Sequence, residues 1–261
     1  MPEEKIARVH GSAIRYVEAG TGEAVVLLHG LGGSRLSFSA NMRALSARHR
    51  VVALDQIGFG RSDKPAIDYT AATFVDHLSG FLREIGIDAP SLVGNSLGGE
   101  VAMRFALRWP ERLHRLVLVA SGGIRHEEGA EWGEVDPTPP TMEEMREFLL
   151  SLFHDAALVT DDLVRLAFEN HEACGDAATI RRFRARRKQE QPLRDSELAS
   201  LRAPTLIVWG REDRLTPISL GKRLHDAISG SRLAVIERCG HLPMVEKAAE
   251  FNGIVTAFLG E

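Results

Sequence analysis

The chain has 261 residues, of which 44% are hydrophobic and 26% are charged, and its formal net charge at pH 7 is −4. This composition is that of an ordinary globular protein, and the slight acidity gives no overall basic bias toward nucleic acid. The length suits one large α/β domain, or a core domain with an inserted segment.

Cysteine usage and hydropathy limit the compartment in which we expect the protein. Cys174 and Cys239 form neither a disulfide framework nor a metal-binding spacing, which favours a reducing compartment. The longest apolar runs are too short to span a bilayer, and the first residues lack the apolar core of a signal peptide. We therefore expect a cytoplasmic protein with no membrane partner.

Strand and helix patterns alternate along most of the chain. Residues 5–18 alternate in polarity and break at Gly11-Ser12, which predicts a β-hairpin. Short apolar runs suit strands that are buried on both faces of a parallel sheet, and they occur at 24–28, 50–54, 91–93, 113–120, 203–209 and 232–236. Helical patterns lie between them at about 36–47, 70–85, 100–107, 217–228 and 246–259, with Thr70 as an N-cap.

The alternation stops after residue 121. From 122 to about 196 no buried strand is predicted, and three helical stretches run over about 141–153, 160–173 and 176–189. Alternating strands and helices indicate an α/β fold with a mainly parallel sheet. We interpret residues 1–121 and 197–261 as the core domain, interrupted by a helical cap at 122–196.

A glycine-rich turn, GNSLGG at 94–99, joins a predicted strand to a predicted helix. It matches the G-x-S-x-G pattern of a nucleophile elbow, in which Ser96 lies on a sharp, strained turn. Side chains at the two flanking glycine positions would collide with the strand and the helix. The helix start directs unpaired N–H groups at whatever the serine attacks. The alternative is a turn that merely joins the two elements.

A nucleophilic serine requires a base and a group that orients the base. In proteins with this elbow, the acid and then the histidine follow the serine along the chain. Asp213 follows a buried strand, where active residues of open α/β sheets lie, and is the predicted acid, with Glu212 as the second choice. A turn or helix-capping role is the alternative for Asp213. His241 lies on a loop between the last strand and the last helix and is the predicted base.

The oxyanion of such a reaction needs two N–H donors. We expect one from Leu97, directly after the nucleophile, and one from Leu31, in the loop after the strand at 24–28. Gly30 and Gly32 let that loop approach the substrate closely. We expect His29 to hold the loop by hydrogen bonds and not to act as a base.

Three further features have structural interpretations. Cys239 could be a second nucleophile, but a small buried apolar residue is the simpler prediction. The loop at 55–62 is interpreted as a turn set by glycines. Most of the basic run at 181–188 is expected to be a solvated helix face, balanced by acidic residues within 127–147, and one of its arginines could pair with a substrate carboxylate.

Together these motifs resemble the α/β-hydrolase family over nearly the whole chain. The matching pieces are HGLGG at 29–33, DQIGFGRSDKP at 55–65, GNSLGG at 94–99, WGREDRLTP at 209–217 and GHLP at 240–243. Within the family, the GNS triplet, PTMEEM at 140–145, LVTDDL at 158–163 and Trp209 are similar to the meta-cleavage-product hydrolases. The resemblance to that group implies cleavage of carbon–carbon bonds in ring-fission products of aromatic catabolism.

Three positions depart from the narrower pattern. The oxyanion loop usually continues Gly-Pro-Gly in that group, but here it is Gly32-Gly33-Ser34, and Leu242 stands where a tryptophan usually follows the catalytic histidine. The cap arginine that binds the dienoate carboxylate would fall near Ala167, with Arg165 close by. Because an unpaired carboxylate in a capped pocket is costly, the absence of that arginine favours an ester substrate.

We therefore predict a serine hydrolase that cleaves a small ester through Ser96, His241 and Asp213, without a metal or cofactor. The predicted substrate-binding residues are Gly30, Gly32, Asn95, Trp209 and Leu242; for Asn95, stabilisation of the elbow by a backbone hydrogen bond is the alternative. One alternative function is C–C hydrolysis of a 2-hydroxy-6-oxo-dienoate. Another is ligand binding on the same fold with little or no turnover. The expected partner is a small molecule, and a homo-oligomer is left open.

Overall fold

The computed structural model describes residues 2–125 and 138–261 and is built on an eight-stranded sheet. The strands are β1 (Glu4–Val9), β2 (Ser12–Ala19), β3 (Ala24–Leu28), β4 (Arg50–Leu54), β5 (Ser91–Asn95), β6 (Leu116–Val119), β7 (Thr205–Gly210) and β8 (Arg232–Ile236). Their order across the sheet is β1-β2-β4-β3-β5-β6-β7-β8. The hairpin β1–β2 is antiparallel, and β2 is antiparallel to β4. The remaining neighbours in the sheet, from β4 through β3 to β8, pair in parallel. The predicted α/β fold is confirmed.

The helices fall close to their predicted positions. They are α1 (Ser39–Leu45), α2 (Ala71–Glu84), α3 (Leu97–Arg108), α4 (Met142–Leu152), α5 (Asp161–Cys174), α6 (Ala177–Arg187), α7 (Asp195–Leu198), α8 (Ile218–Ala227), α9 (Pro243–Glu246) and α10 (Ala248–Leu259). Thr70 caps α2 as expected, because its Oγ1 accepts a hydrogen bond from Thr73 N at 3.1 Å. Within the described ranges, no helix combines the length and apolarity that crossing a membrane requires.

Both faces of the parallel strands are covered by helices. Alternate residues of β3 belong to two separate hydrophobic clusters, Val26 and Leu28 to one and Val25 and Leu27 to the other. The first cluster includes side chains of α2, α3 and α8, and the second includes side chains of α1 and α10. A strand buried on both faces has no polar side, which is why these strands are continuous apolar runs in the sequence.

Helices α4 and α5 have a small hydrophobic cluster of their own. Its buried members are Met145, Leu149, Leu152, Phe153, Val159 and Val164. Leu215, which follows β7, and Leu242, which follows β8, pack against this cluster. The helical segment therefore lies at the carboxyl ends of the strands, where the candidate site residues also lie. The acidic residues predicted to balance the basic run lie partly within 126–137, outside the described residues.

Candidate active site

Ser96 lies on the turn between β5 and α3 with a backbone φ of 54° and ψ of −116°. Such a positive φ is strained for a residue with a side chain. A Cβ atom on Gly94 would clash with the carbonyl of Gly98, and one on Gly98 would clash with the carbonyl of Leu28. The two glycines are therefore required by close backbone contacts, as the sequence pattern predicts for an elbow.

Asp213 and His241 form a buried pair. His241 Nδ1 is 2.8 Å from Asp213 Oδ2, and both side chains are almost completely excluded from solvent. The other carboxylate oxygen accepts hydrogen bonds from the backbone N–H groups of Leu215 and Thr216, each at 2.9 Å. The Thr216 hydroxyl donates to Oδ2 at 2.7 Å. These donors compensate the buried carboxylate and fix its direction toward the imidazole.

Glu212 has a different position and task. Its Oε2 accepts a hydrogen bond from the backbone N–H of Cys239 at 2.9 Å, which holds the loop that leads to His241. The Glu212 carboxylate is therefore bound to the backbone of Cys239, which lies two residues before His241. Of the two neighbouring acids, the structure brings Asp213 to the imidazole.

Ser96 and His241 line the same cavity, together with Leu31 and Leu97. The structure gives no hydrogen bond between Ser96 Oγ and His241 Nε2, a contact that often tightens only when substrate binds. The backbone N–H groups of Leu31 and Leu97 have no acceptor among the described residues. The Leu97 N–H is one of the donors that a helix start leaves unpaired, so it can stabilise an oxyanion.

The loop that carries Leu31 is held by His29 and Asp55. His29 Nδ1 is 2.7 Å from Gly30 O, and its Nε2 accepts a hydrogen bond from Gln56 N at 3.0 Å. Burial lowers the pKa of His29, so the ring stays neutral and structural, as predicted. Asp55 is buried, accepts a hydrogen bond from Arg35 N at 2.7 Å and forms an ion pair with the Arg35 guanidinium. The structural interpretation of the 55–62 loop is thereby supported.

Two of the predicted substrate-binding residues, Asn95 and Trp209, form hydrogen bonds within the protein. Asn95 Nδ2 donates to Val119 O at 3.2 Å and to His241 O at 3.3 Å, so the amide joins the elbow to the histidine loop while the residue lines the cavity. The prediction for Trp209 is wrong. Its side chain is fully buried, its Nε1 donates to Thr216 O at 2.7 Å, and its ring packs against Gly221 of α8. Trp209 points into the core on the α8 side of the sheet and is absent from the cavity wall.

The cavity has a volume of about 540 Å³. Its wall on the core side includes the other three predicted substrate-binding residues, Gly30, Gly32 and Leu242. Side chains of α4, α5 and α6 form the opposite wall. A volume of this size is within the range of small-molecule sites.

Two arginines of the basic run, Arg184 and Arg187, line this cavity. Arg187 Nη1 is 2.8 Å from Glu100 Oε1 and 3.3 Å from Glu190 Oε2. Other members of the run, Arg181, Arg182 and Lys188, are exposed as expected. In the sequence, the apolar Phe183 within the basic run was the indication that one face of this helix turns toward the protein. A buried side chain fixes which side of a helix faces inward.

Arg165 and the two cysteines do not supply alternative chemistry. Arg165 is exposed, pairs with Asp162 at 2.6 Å and does not line the cavity. Cys239 is buried, and burial raises the pKa of its thiol, which therefore stays protonated and is a poor nucleophile. Burial also raises the pKa of Cys174, which lies in the cavity wall.

A serine elbow and a buried histidine–aspartate pair at the carboxyl ends of a mainly parallel sheet define the serine hydrolases of the α/β-hydrolase fold. The family comparison agrees with this class. The chain belongs to the alpha/beta hydrolase family, whose model matches residues 25–254. The predicted hydrolase class is thereby confirmed.

Several relatives within the family are named for one substrate type. The chain is 35% identical over 255 residues to 2-hydroxy-6-oxo-2,4-heptadienoate hydrolase of Pseudomonas putida, covering 93% of this chain and 91% of the relative. It is 32% identical to 2-hydroxy-6-oxo-6-phenylhexa-2,4-dienoate hydrolase of Comamonas testosteroni, covering 94% and 91%. Among solved structures, the meta-cleavage product hydrolase of Pseudomonas fluorescens superposes with a TM-score of 0.89 at 33% identity, covering 98% and 97%.

These relatives overturn the prediction of a small ester substrate, because they are dienoate hydrolases and not carboxylesterases. The prediction rested on the absence of an arginine near position 167, which left a substrate carboxylate without a cation. The structure shows that α6 places Arg184 and Arg187 in the cavity wall. The missing charge at Ala167 is therefore no argument against an acidic substrate.

Proposed function

We propose that this protein hydrolyses the C5–C6 bond of a 2-hydroxy-6-oxo-2,4-dienoate. The observation that carries the choice of bond is the match, at 32–35% identity over more than nine-tenths of both chains, to hydrolases named for such dienoates. The cavity supports the choice because its wall combines the serine elbow with two arginines. Those groups suit an acidic ketone better than a neutral ester.

The proposed reaction begins with conversion of the dienol to its keto form, in which the 2-hydroxyl loses a proton and C5 gains one. The departing carbon fragment can then leave as a stabilised enolate. Ser96 Oγ then attacks the C6 carbonyl, and His241 Nε2 takes the serine proton. The N–H groups of Leu31 and Leu97 stabilise the resulting oxyanion. Asp213 holds the imidazole in the tautomer that can accept this proton and stabilises the imidazolium.

Collapse of the oxyanion breaks the C5–C6 bond, and its electron pair goes to the dienoate fragment. His241 gives its proton to that fragment. The other part of the substrate stays on Ser96 as an acyl group. A water molecule, deprotonated by His241, then hydrolyses the acyl-serine and releases the second carboxylic acid. Every proton transfer after the ketonisation is thus handled by one imidazole, whose orientation depends on Asp213.

The carboxylate of the substrate needs a cation, because a buried unpaired charge costs several kcal/mol. We assign this task to the arginine face of α6, with Arg184 as the direct partner. Glu100 and Glu190 hold Arg187 in place and neutralise it. Arg184, almost one turn earlier, also has an interaction within the chain, which a substrate carboxylate would share or displace.

The proposal is tested with 2-hydroxy-6-oxohepta-2,4-dienoate. Wild-type protein is expected to remove the absorbance of the conjugated dienol and to release acetate in equal amount. Ser96→Ala should lower kcat by a factor of roughly 10³ or more while the protein stays folded. Ser200→Ala, at a serine outside the cavity wall, is the matched control. Acetate release by Ser96→Ala at a tenth of the wild-type rate would exclude the mechanism.

A further inference from the structure

One face of α5 forms a continuous strip of the cavity wall. The residues that line the cavity are Leu163, Leu166, Ala167, Asn170, His171 and Cys174. Their spacing of three and four residues places them on one side of the helix. The first three are apolar and the last three are polar, so the polarity of the wall changes along the helix axis, over about 16 Å at 1.5 Å per residue.

The neighbouring helices follow the same division. All the side chains that α4 contributes to the cavity are apolar: Met145, Phe148, Leu149 and Leu152. The α4 side chains pack with Leu163 and Ala167 of α5 in one hydrophobic cluster. Beyond the C-terminus of α5, the chain contributes three charged residues, Asp176, Arg184 and Arg187, and one apolar residue, Phe183. The cavity therefore has an apolar end formed by α4 and the first half of α5, and a charged end formed by α6.

The cavity wall includes large apolar side chains that are left in water. Leu166 is 58% exposed, Val245 is 40% exposed and Leu36 is 39% exposed, although all three line the cavity. Large apolar side chains that are exposed together around a cavity are typical of a ligand-binding surface. An apolar group of the ligand that extended between them would remove these side chains from water.

The size of the cavity exceeds that of a small dienoate. A cavity of roughly 150 Å³ holds one benzene ring, whereas this cavity measures about 540 Å³. A substrate with only a methyl group at C6 would leave much of the apolar end filled with water. A larger apolar group would displace that water and gain contact with α4 and α5.

Resting on the proposed function, we propose that the substrate carries an aryl group at C6 and binds in one direction along α5. The carboxylate lies at the charged end, beside α6. The aryl ring lies at the apolar end, against Phe148 and Leu166, and reaches toward Val245. In this orientation the scissile carbonyl lies between the two ends, in the same cavity that Ser96 lines.

The experiment compares two substrates that differ only at C6, with methyl or phenyl. We expect kcat/KM for the phenyl substrate to exceed that for the methyl substrate at least tenfold. Leu166→Asn should reduce this ratio by about tenfold, because it places an amide beside the ring. Leu158→Asn is the matched control: Leu158 is also an exposed leucine of the helical segment, but it does not line the cavity, and its variant should keep the wild-type ratio.

The outcomes distinguish failure of the aryl assignment from failure of the proposed function. Cleavage of both substrates with no preference for phenyl would overturn the aryl assignment and leave the proposed function intact. A phenyl preference that Leu166→Asn did not change would overturn the placement of the ring. Failure of folded wild-type protein to cleave either dienoate would overturn the proposed function and the inference with it.

Discussion

The two sides of the cavity are built by different means. The core side consists of loops at the ends of strands, where Ser96, Asp213 and His241 are fixed by backbone geometry and buried hydrogen bonds. The opposite side consists of faces of α4, α5 and α6, where residues reach the cavity because of helical spacing. In the proposed function, the core side supplies groups for bond cleavage, and the helical side supplies shape and charge.

Because of this difference, the two sides are expected to respond differently to mutation. A loop residue that acts through one directed hydrogen bond has no substitute, so its loss removes the chemistry. A helix face offers several side chains to the ligand, so a single change alters which ligand is favoured. Substitutions on the core side should therefore change kcat for every substrate, whereas those on the helical side should change ratios between substrates.

The largest expected effect is on the core side, at Asp213. Asp213→Asn should reduce kcat by roughly 10³–10⁴-fold, because the amide can favour the wrong imidazole tautomer. Glu212→Gln is the matched control and should cost less than tenfold, since its partner is the backbone N–H of Cys239. Steady-state kinetics on one dienoate measure both variants. If Glu212→Gln proved the more damaging change, the acid would have to be reassigned.

A smaller effect is expected on the helical side, at Arg184. Arg184→Gln should lower kcat/KM for a dienoate relative to its methyl ester by about a hundredfold, in keeping with loss of a charge-assisted hydrogen bond worth about 1.5–3 kcal/mol. Arg165→Gln, which removes an exposed arginine outside the cavity, should leave the ratio within twofold. An unchanged ratio in Arg184→Gln would place the carboxylate elsewhere.

The smallest effect concerns stability where the helical side meets the core. Asp176, directly before α6, accepts a hydrogen bond from Gly60 N at 3.3 Å and lies 3.5 Å from Lys64 Nζ. Burial raises the pKa of Asp176 from 3.8 to about 6. Between these two values the folded state holds a proton that the unfolded state has lost. This contribution to stability is therefore complete below pH 3.8 and disappears as the pH rises through 6.

Asp176→Asn removes that titration. Compared with wild type, the variant should gain about 2 kcal/mol or somewhat more of relative stability between pH 4 and pH 7. The full shift of about two pKa units is worth roughly 2.7 kcal/mol at about 1.36 kcal/mol per unit, and most of it falls within this pH range. Urea unfolding of both proteins at several pH values measures the difference. Parallel stability curves for the two proteins would show that Asp176 does not titrate in this range.

The core side was largely predictable from the sequence. The elbow at 94–99 is a local pattern, because strand, glycines and helix must all be present within a few residues for the turn to form. Asp213 and His241 follow strands that end at one edge of a parallel sheet, so their convergence follows from topology. The role of His29 was also accessible, since its loop needs an anchor.

The helical side and Trp209 were not predictable in the same way. The α5 strip is visible as a spacing, but the sequence does not say which face of an exposed helix turns toward a cavity. Arg184 reaches the cavity because Phe183 packs inward, a contact between elements far apart along the chain. Trp209 lies in a strand buried on both faces, where no polar side indicates which way its ring points.

The strained backbone of Ser96 has a cost in folding stability. A glycine at this position would adopt the positive φ without penalty, and strain of this kind costs on the order of 1–3 kcal/mol. Selection for stability alone would therefore replace this serine. A serine at this position is therefore expected where its hydroxyl has a task that glycine cannot perform, such as attack on a carbonyl.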